Sequence, residues 1–225
     1  IRESLVAARD DALACLKWVA GFDLPQAAAA TTFVALRHPE EYPFNEGDIV
    51  ASDGTQWPQT EFETAFEEYQ EPHSNALFSR RRGAGAYFLG PLARVNRNFD
   101  HLDASVREAA LSTGLSWPND NPYVSIVARA IEILYAIEEA IRQIDRYEAP
   151  PAPAAVYEVA ASSGAAITEA PRGMLYHRYE VGADGILVGA KIVPPTSQNQ
   201  GQMEADLRRL VPQILAVSQG RATRI

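Results

Sequence analysis

The most suggestive chemistry in the chain lies in Thr168-Glu169-Ala170-Pro171-Arg172-Gly173 and, after an intervening hairpin pattern, Pro195-Thr196-Ser197-Gln198-Asn199. A proline fixes φ and a glycine permits conformations closed to other residues, so Pro171-Arg172-Gly173 offers a rigid perch for a guanidinium at the mouth of a hairpin. The alternative is that Arg172 merely pairs with a neighbouring carboxylate. Other templates fail on spacing. Among His38, His73, His101 and His177 no two stand four apart, and none lies near Cys15, which removes the zinc and Cys–His nucleophile patterns. Each histidine therefore reads as a loop residue or a satisfied, partly buried one. There is no Walker loop, dinucleotide fingerprint or Gly-x-Ser-x-Gly elbow. Arg80, Arg81 and Arg82 precede Gly83 and Gly85 and could grip an anion, but without a helix N-terminus or phosphate-loop lysine they read as a surface loop.

These residues sit in a chain of 225 residues that is 47% apolar and 22% charged, which is long enough for a sizeable core and excludes disorder and collagen-like repeats. No run approaches the ~18 apolar residues of a membrane helix. The net charge of −9 argues against a nucleic-acid partner, because phosphate binding is driven by a basic surface. Lys17 and Lys191 are the only lysines. Such arginine bias fits either a GC-rich genome or arginines placed for bidentate contacts. The single cysteine, Cys15, excludes an intrachain disulfide and any Cys-rich metal site built from this chain alone; it reads as a packing residue in a reducing, cytoplasmic setting. The sequence starts at Ile1 without the basic and apolar regions of a secretory leader, so none is expected.

Helical spacing of Leu5, Val6, Leu13, Leu16, Val19 and Ala20 predicts a first helix over 3–22, ended by Gly21 and Pro25. A short strand is expected over 31–36, and a hairpin from 48–52 through Asp53-Gly54 to 55–57. Over 58–69, Phe62 and Phe66 alternate with Glu61, Glu63, Glu67 and Glu68 in a pattern that predicts a helix with a solvated acidic face. A short helix follows over 103–112. Asn121 as N-cap and Pro122 at the first helical position open the strongest helix, sustained by Ile126, Val127, Ala130, Ile131, Leu134, Ile137, Ala140, Ile141 and Ile144 to about Tyr147. It is expected to be central and buried, with surface pairs Arg129–Glu132 and Glu138–Arg142. The prolines over 149–155 forbid regular structure. Residues 174–181 and 186–193 form a hairpin through Gly182 to Gly185, and a last helix begins near Gln202 with Leu207, Leu210, Val211, Ile214 and Leu215. The expected fold class is α+β, mainly α, with a helical core and small antiparallel hairpins. The division is 1–148 for the core region, 149–167 for a Pro/Ala-rich linker or loop, and 168–225 for the hairpin and terminal helix.

Five blocks then carry a family resemblance. They are Trp18-Val19-Ala20-Gly21-Phe22; Gly90-Pro91-Leu92-Ala93-Arg94-Val95-Asn96; Asn121-Pro122 with Ser125-Ile126-Val127-Ala128-Arg129-Ala130-Ile131-Glu132; Glu169-Ala170-Pro171-Arg172-Gly173; and Thr196-Ser197-Gln198-Asn199. With these the sequence resembles, over nearly all its length, the middle and later part of the large (alpha) subunit of nickel–iron hydrogenases, most closely the cytoplasmic NAD(P)-linked or related soluble branch. The resemblance implies the hydrogenase large-subunit fold. It also implies the reaction H2 ⇌ 2H+ + 2e− at a nickel joined by thiolates to an iron carrying cyanide and carbon monoxide, with electrons passed to an iron–sulfur small subunit and diaphorase-type subunits. By resemblance Arg172 lies over the open position of the metal pair, Pro171 shapes the dry pocket around the diatomic ligands, and Thr196 donates a hydrogen bond to a cyanide. The Ile192 carbonyl matches a ligand of a structural magnesium. Arg172 and Thr196 are expected on one side of a common concavity.

The departures are as informative as the matches. Both Cys-x-x-Cys pairs of the family are missing, as is the glutamate that passes protons near the first, and Cys15 matches none of the four ligands. The expectation is an internal piece of a large subunit, inactive and without bound metal by itself. It should expose an apolar groove where other segments pack, through which it could form homo-oligomers. A second reading is a metal-free scaffold or assembly paralogue related to the respiratory quinone-reductase subunit, although such a protein has no reason to keep Pro171-Arg172 together with Thr196. An unrelated helical interaction domain is the third.

Overall fold

The computed structural model describes residues 1–27 and 31–215, the side chains of residues 213 and 214 excepted. Four helices build one half: α1 (Arg2–Ala20), α3 (Pro91–Asn98), α4 (Ala104–Leu111) and α5 (Ser125–Asp145). The short α2 (Phe62–Ala65) belongs to the other half. Helix α1 runs antiparallel to α5, with Arg2 bonded to Asp145 at 2.6 Å at one end and Arg9 within 3.8 Å of Glu138 further along. Between them Ala12, Leu16 and Val19 meet Val127, Ile131 and Leu134 in a core that also takes Leu92, Val95 and Val106. The Asn121 side chain accepts the Tyr123 N–H and caps a turn of 3-10 helix over Pro122–Val124, which leads into α5.

The second half is strand-built. Strands β1 (Val34–Arg37), β2 (Asp48–Ala51) and β3 (Gln56–Trp57) form one antiparallel sheet, β4 (Phe66–Gln70) and β5 (Leu77–Arg81) a ribbon, and β6 (Ser162–Ala170), β7 (Gly173–Val181) and β8 (Leu187–Val193) a second sheet. Helix α6 (Pro195–Leu215) packs on β5 and β7. A second core joins Val34, Leu36 and Ile49 to Phe62, Tyr87, Leu89, Ile167, Met174 and Tyr176. The period of two in a strand places β1 between the two cores: Val34 and Leu36 point to the sheet side, while Ala35 and the preceding Phe33 point to the helical side.

Four expectations are corrected. Residues 58–69 are not one helix: after Pro58 a 3-10 turn and the four-residue α2 give way at Phe66 to a strand. Pairing with β5 decides this, since the ladder sets Glu67 opposite Arg80 and Tyr69 opposite Phe78. Consequently Arg80 and Arg81 lie in a strand rather than a surface loop. Arg81 is buried with its guanidinium over Trp57 and bonded to Asp53 at 2.7 Å. The segment read as linker is irregular to residue 161, but residues from Ser162 form β6, whose small, exposed side chains carry no pattern and whose partner strand supplies the order. Finally α6 starts at Pro195, not near Gln202, because a proline in the first turn forfeits no helical hydrogen bond. In α6 the side chain of Ile214 lies outside the described residues.

The strongest helix is central as expected, but its surface pairs are different. Glu132 turns inward to Arg94, and Arg142 binds Glu139 and Asp103, while Glu138 faces Arg9. Among the described residues no helix is long and apolar enough to cross a membrane.

Candidate functional site

Strands β6 and β7 are joined by the tightest reversal their register allows: Ala170 pairs with Gly173, leaving Pro171 and Arg172 as the turn. Gly173 has φ +128°, and a Cβ there would stand 2.5 Å from the Leu89 Cβ. Gly90, at φ +102°, would place a Cβ 3.0 Å from the Arg172 carbonyl oxygen. The loop before α3 and the hairpin turn therefore lie backbone against backbone, and only glycine permits the approach.

Beneath the turn lies a buried charge cluster centred on Arg94 of α3. All five of its N–H groups are used. Nε and Nη2 bind the two oxygens of Glu132 at 2.6 Å each, and Nη1 binds Glu169 Oε2 at 2.9 Å. The remaining two donate to the Ala170 carbonyl at 2.7 Å and the Pro171 carbonyl at 3.2 Å. The side chains of Arg94 and Glu169 are 4% and 1% exposed, so this is an ion pair out of water, with Tyr42 adding a hydrogen bond to Glu132 at 2.7 Å. Burial works against the Arg94 charge, but Glu132 and Glu169 outweigh it and hold the guanidinium above its ordinary pKa. Burial pushes the Glu169 carboxyl up, against the opposing pull of Arg94 and of the Leu36 N–H, which donates to it at 2.8 Å. Burial and the neighbouring Glu132 carboxylate keep the Tyr42 hydroxyl well above the usual tyrosine range.

From the other side, Asn199 of α6 accepts the Leu89 N–H at 2.7 Å and donates to the Arg172 carbonyl at 3.3 Å. One residue earlier the buried Gln198 bonds the Met174 and Val193 carbonyls and takes a hydrogen bond from Tyr87, which anchors the first turn of α6 to β7 and β8. Three successive carbonyls, of residues 170, 171 and 172, are thus held by side chains from two helices. The Arg172 guanidinium itself is exposed and makes no hydrogen bond or ion pair with the described residues. Glu169, the carboxylate nearest to Arg172 in the sequence, is spent on Arg94.

Thr196 is exposed in the first turn of α6, one helical turn before Asn199, and Ile192 is half exposed on β8, an edge strand. A cavity of about 220 Å³ beside the turn is lined by Pro171, Arg129, Tyr135 and Ile133 and floored by Arg94 and Glu132; Arg172 and Thr196 are not among its walls. The roles of Arg94, Glu132, Gln198 and Asn199 were not evident in the sequence. Their one signal was membership of the same short blocks that carry the resemblance.

The residues present do not supply the ligands of a nickel–iron centre. Such a centre needs soft thiolates, and the one cysteine of the sequence, Cys15, packs from α1 against the helical core. Nor do any three His, Cys, Asp or Glu side chains among the described residues gather as a metal site. His73 is bonded to Glu204 and His177 to the Tyr179 hydroxyl, both at 2.6 Å. On α6, Met203, Leu207, Val211 and Leu215 stand exposed at intervals of four, an apolar stripe along the helix.

No family model matches the chain. Among curated proteins, sulfhydrogenase 1 subunit alpha of Pyrococcus furiosus is 32% identical over 167 residues, which are 73% of this chain and 39% of that protein. The NAD-reducing hydrogenase HoxS subunit beta of Cupriavidus necator is 29% identical over 165 residues, 68% of this chain and 33% of its own length. These relatives are hydrogenase subunits, and the chain spans well under half of each. Among solved structures, an NAD+-reducing NiFe-hydrogenase in the H2-reduced state aligns at a TM-score of 0.62 and 20% identity over 92% of this chain and 49% of the other. An H2-activated NiFeSe-hydrogenase of Dm. baculatum aligns at 0.57 and 16% identity over 86% of this chain and 49% of the other. At such identities the likeness is one of fold: this mixed helix-and-sheet arrangement occurs within hydrogenase chains.

Proposed function

We propose that this chain is the part of a nickel–iron hydrogenase large (alpha) subunit that presents the Pro171-Arg172 hairpin, and that the complete subunit catalyses H2 ⇌ 2H+ + 2e−. The observation that carries the reading is the turn itself, which presents an exposed, unpaired guanidinium while Arg94 and Asn199 fix the backbone on both sides of it. Side chains on floppy loops bind weakly because ordering backbone and side chain costs entropy, whereas here the backbone share of that cost has been met in folding. The hydrogenase relatives and the fold likeness support the same reading.

On this reading Pro171, Arg172 and Thr196 belong to the surroundings of the metals, and the Ile192 carbonyl to a structural magnesium. The thiolates come from sequence outside these 225 residues. No catalytic step is assigned to the residues in hand, because the ligand set is not among them. The partners are an iron–sulfur small subunit and diaphorase-type subunits in a cytoplasmic complex.

The test is the complete open reading frame and its product. Cys-x-x-Cys pairs on both sides of this segment, bound nickel, and hydrogen-dependent dye reduction that falls about 100-fold or more in Arg172→Lys, the scale of losing one placed donor, are expected. A reading frame without those cysteines, whose product binds no nickel, would instead support the metal-free scaffold.

A further inference from the structure

We propose that Asn199 and Arg94 are positioning residues for Arg172: together they clamp the three turn carbonyls so that the guanidinium projects from a fixed backbone. That Arg172 needs such aim rests on the reading above, whereas the clamp itself is a property of this chain alone.

The two residues divide the work by chemistry. Arg94 has a planar fork, and it spends three donors on carboxylates and two on the Ala170 and Pro171 carbonyls. A lysine ammonium, with three donors and no fork, cannot reach that set. Asn199 uses both ends of one amide, taking the Leu89 N–H and giving an N–H to the Arg172 carbonyl. It therefore ties the loop before α3, the turn and α6 into one unit. Gly90 and Gly173 make the clamp close enough to act, since a methyl group at either would push the turn away. Nothing in the packing of the hydrophobic cores calls for Asn199, which belongs to neither.

The experiment uses the full 225-residue chain and 15N relaxation of the backbone N–H groups of Ala170, Arg172 and Gly173, the Arg172 N–H sharing its peptide plane with the Pro171 carbonyl, and of the Arg172 Nε–H. Asn199→Asp keeps the acceptor for Leu89 and turns the donor into a second acceptor facing the Arg172 carbonyl. Asn199→Ala removes both bonds. In the parent, turn order parameters near ~0.85 are expected; in both variants they should fall below ~0.6 at Arg172 and Gly173, while the Gly182–Gly185 turn is unchanged. Leu89 amide exchange should stay slow in Asn199→Asp and quicken in Asn199→Ala. Asn199→Gln, which keeps the amide on a longer stem, should restore part of the order. Arg94→Lys should lower the order parameters of the Ala170 and Arg172 N–H groups, with its melting temperature as the control for global loss. A turn equally rigid in all these variants would overturn the clamp. A turn rigid in the parent and loosened by these substitutions, in a protein whose reading frame fails the hydrogenase test, would retain the clamp and remove only its purpose; a turn already mobile in the parent would overturn it.

Discussion

The second sheet ends in two hairpin turns of opposite construction. At one end Pro171-Arg172 is gripped at its carbonyls by Arg94 and Asn199. At the other, residues 182–185 close on themselves, with the Gly182 N–H to Ile186, the Gly185 N–H to Gly182, and Asp184 accepting the Ile186 N–H at 3.1 Å. Ile186, Leu187 and Val188 around the second turn are exposed. Both turns reverse a chain equally well. A turn that only connects needs local hydrogen bonds, but one that must aim a side chain needs contacts from elsewhere in the fold, and those contacts identify it.

The largest break in this comparison should come from the arginines. Arg94→Met strands Glu132 and Glu169 without their partner, and a loss of about 3–5 kcal/mol is expected for a buried pair so broken. Arg178, in β7, pairs with Glu63 and Glu180 but is about a third exposed, so Arg178→Met should cost less than about 1 kcal/mol. Urea unfolding measures both, and equal losses would show that the two ends of the sheet are not differently built.

Next come the glycines. Gly173→Ala meets Leu89 and a forbidden φ, and overpacking with backbone strain should together cost about 3 kcal/mol. Gly185→Ala has φ +81° and only a Val159 methyl at 3.1 Å, so about 1 kcal/mol is expected. The melting temperatures of the two variants should differ accordingly, and a mild Gly173→Ala would mean that the turn can move away from Leu89 at little cost.

The smallest effect concerns a third turn, Asp53-Gly54. Burial raises the Asp53 carboxyl, but hydrogen bonds from Arg81 and Thr55 outweigh it and lower its pKa to about 2. A carboxyl depressed in the folded state contributes stability above its unfolded pKa and loses it as pH falls through the folded one. Asp53 is well exposed, so Asp53→Asn should cost about 0.5–1 kcal/mol near neutral pH. The gap between variant and parent should close between roughly pH 4 and pH 2, read from thermal melts across that range. A gap independent of pH would assign the effect to packing of Arg81 on Trp57.

Legibility in the sequence followed the locality of the forces. Helices α1, α4 and α5 announce themselves because their apolar residues recur at helical spacing and Asn121 with Pro122 marks a beginning. The β7–β8 hairpin is equally local. Strands β4 and β6 were hidden: Phe62 and Phe66 fit a helix as well as a strand, and β6 buries one apolar side chain, Ile167, in nine residues. For both, the deciding partner lies elsewhere in the chain. The site divides in the same way. Pro171, Arg172 and Gly173 stand out as neighbours with unusual backbone properties, whereas Arg94, Glu132, Glu169 and Asn199 are ordinary polar residues until the fold brings them together.

By itself, then, the sequence determined the rigid dipeptide before Gly173, the absence of a thiolate set among these 225 residues, and the helices whose periodicity is written in neighbouring residues. Tertiary structure alone decided that Arg172 would stay unpaired. Glu169, three residues before it, could have claimed it, but α3 and α5 carry Arg94 and Glu132 into the same buried space. Away from water, Glu169 is held by the guanidinium that five acceptors fix in place. Which of two arginines a carboxylate chooses is a matter of geometry and desolvation between distant segments, and no local pattern records it.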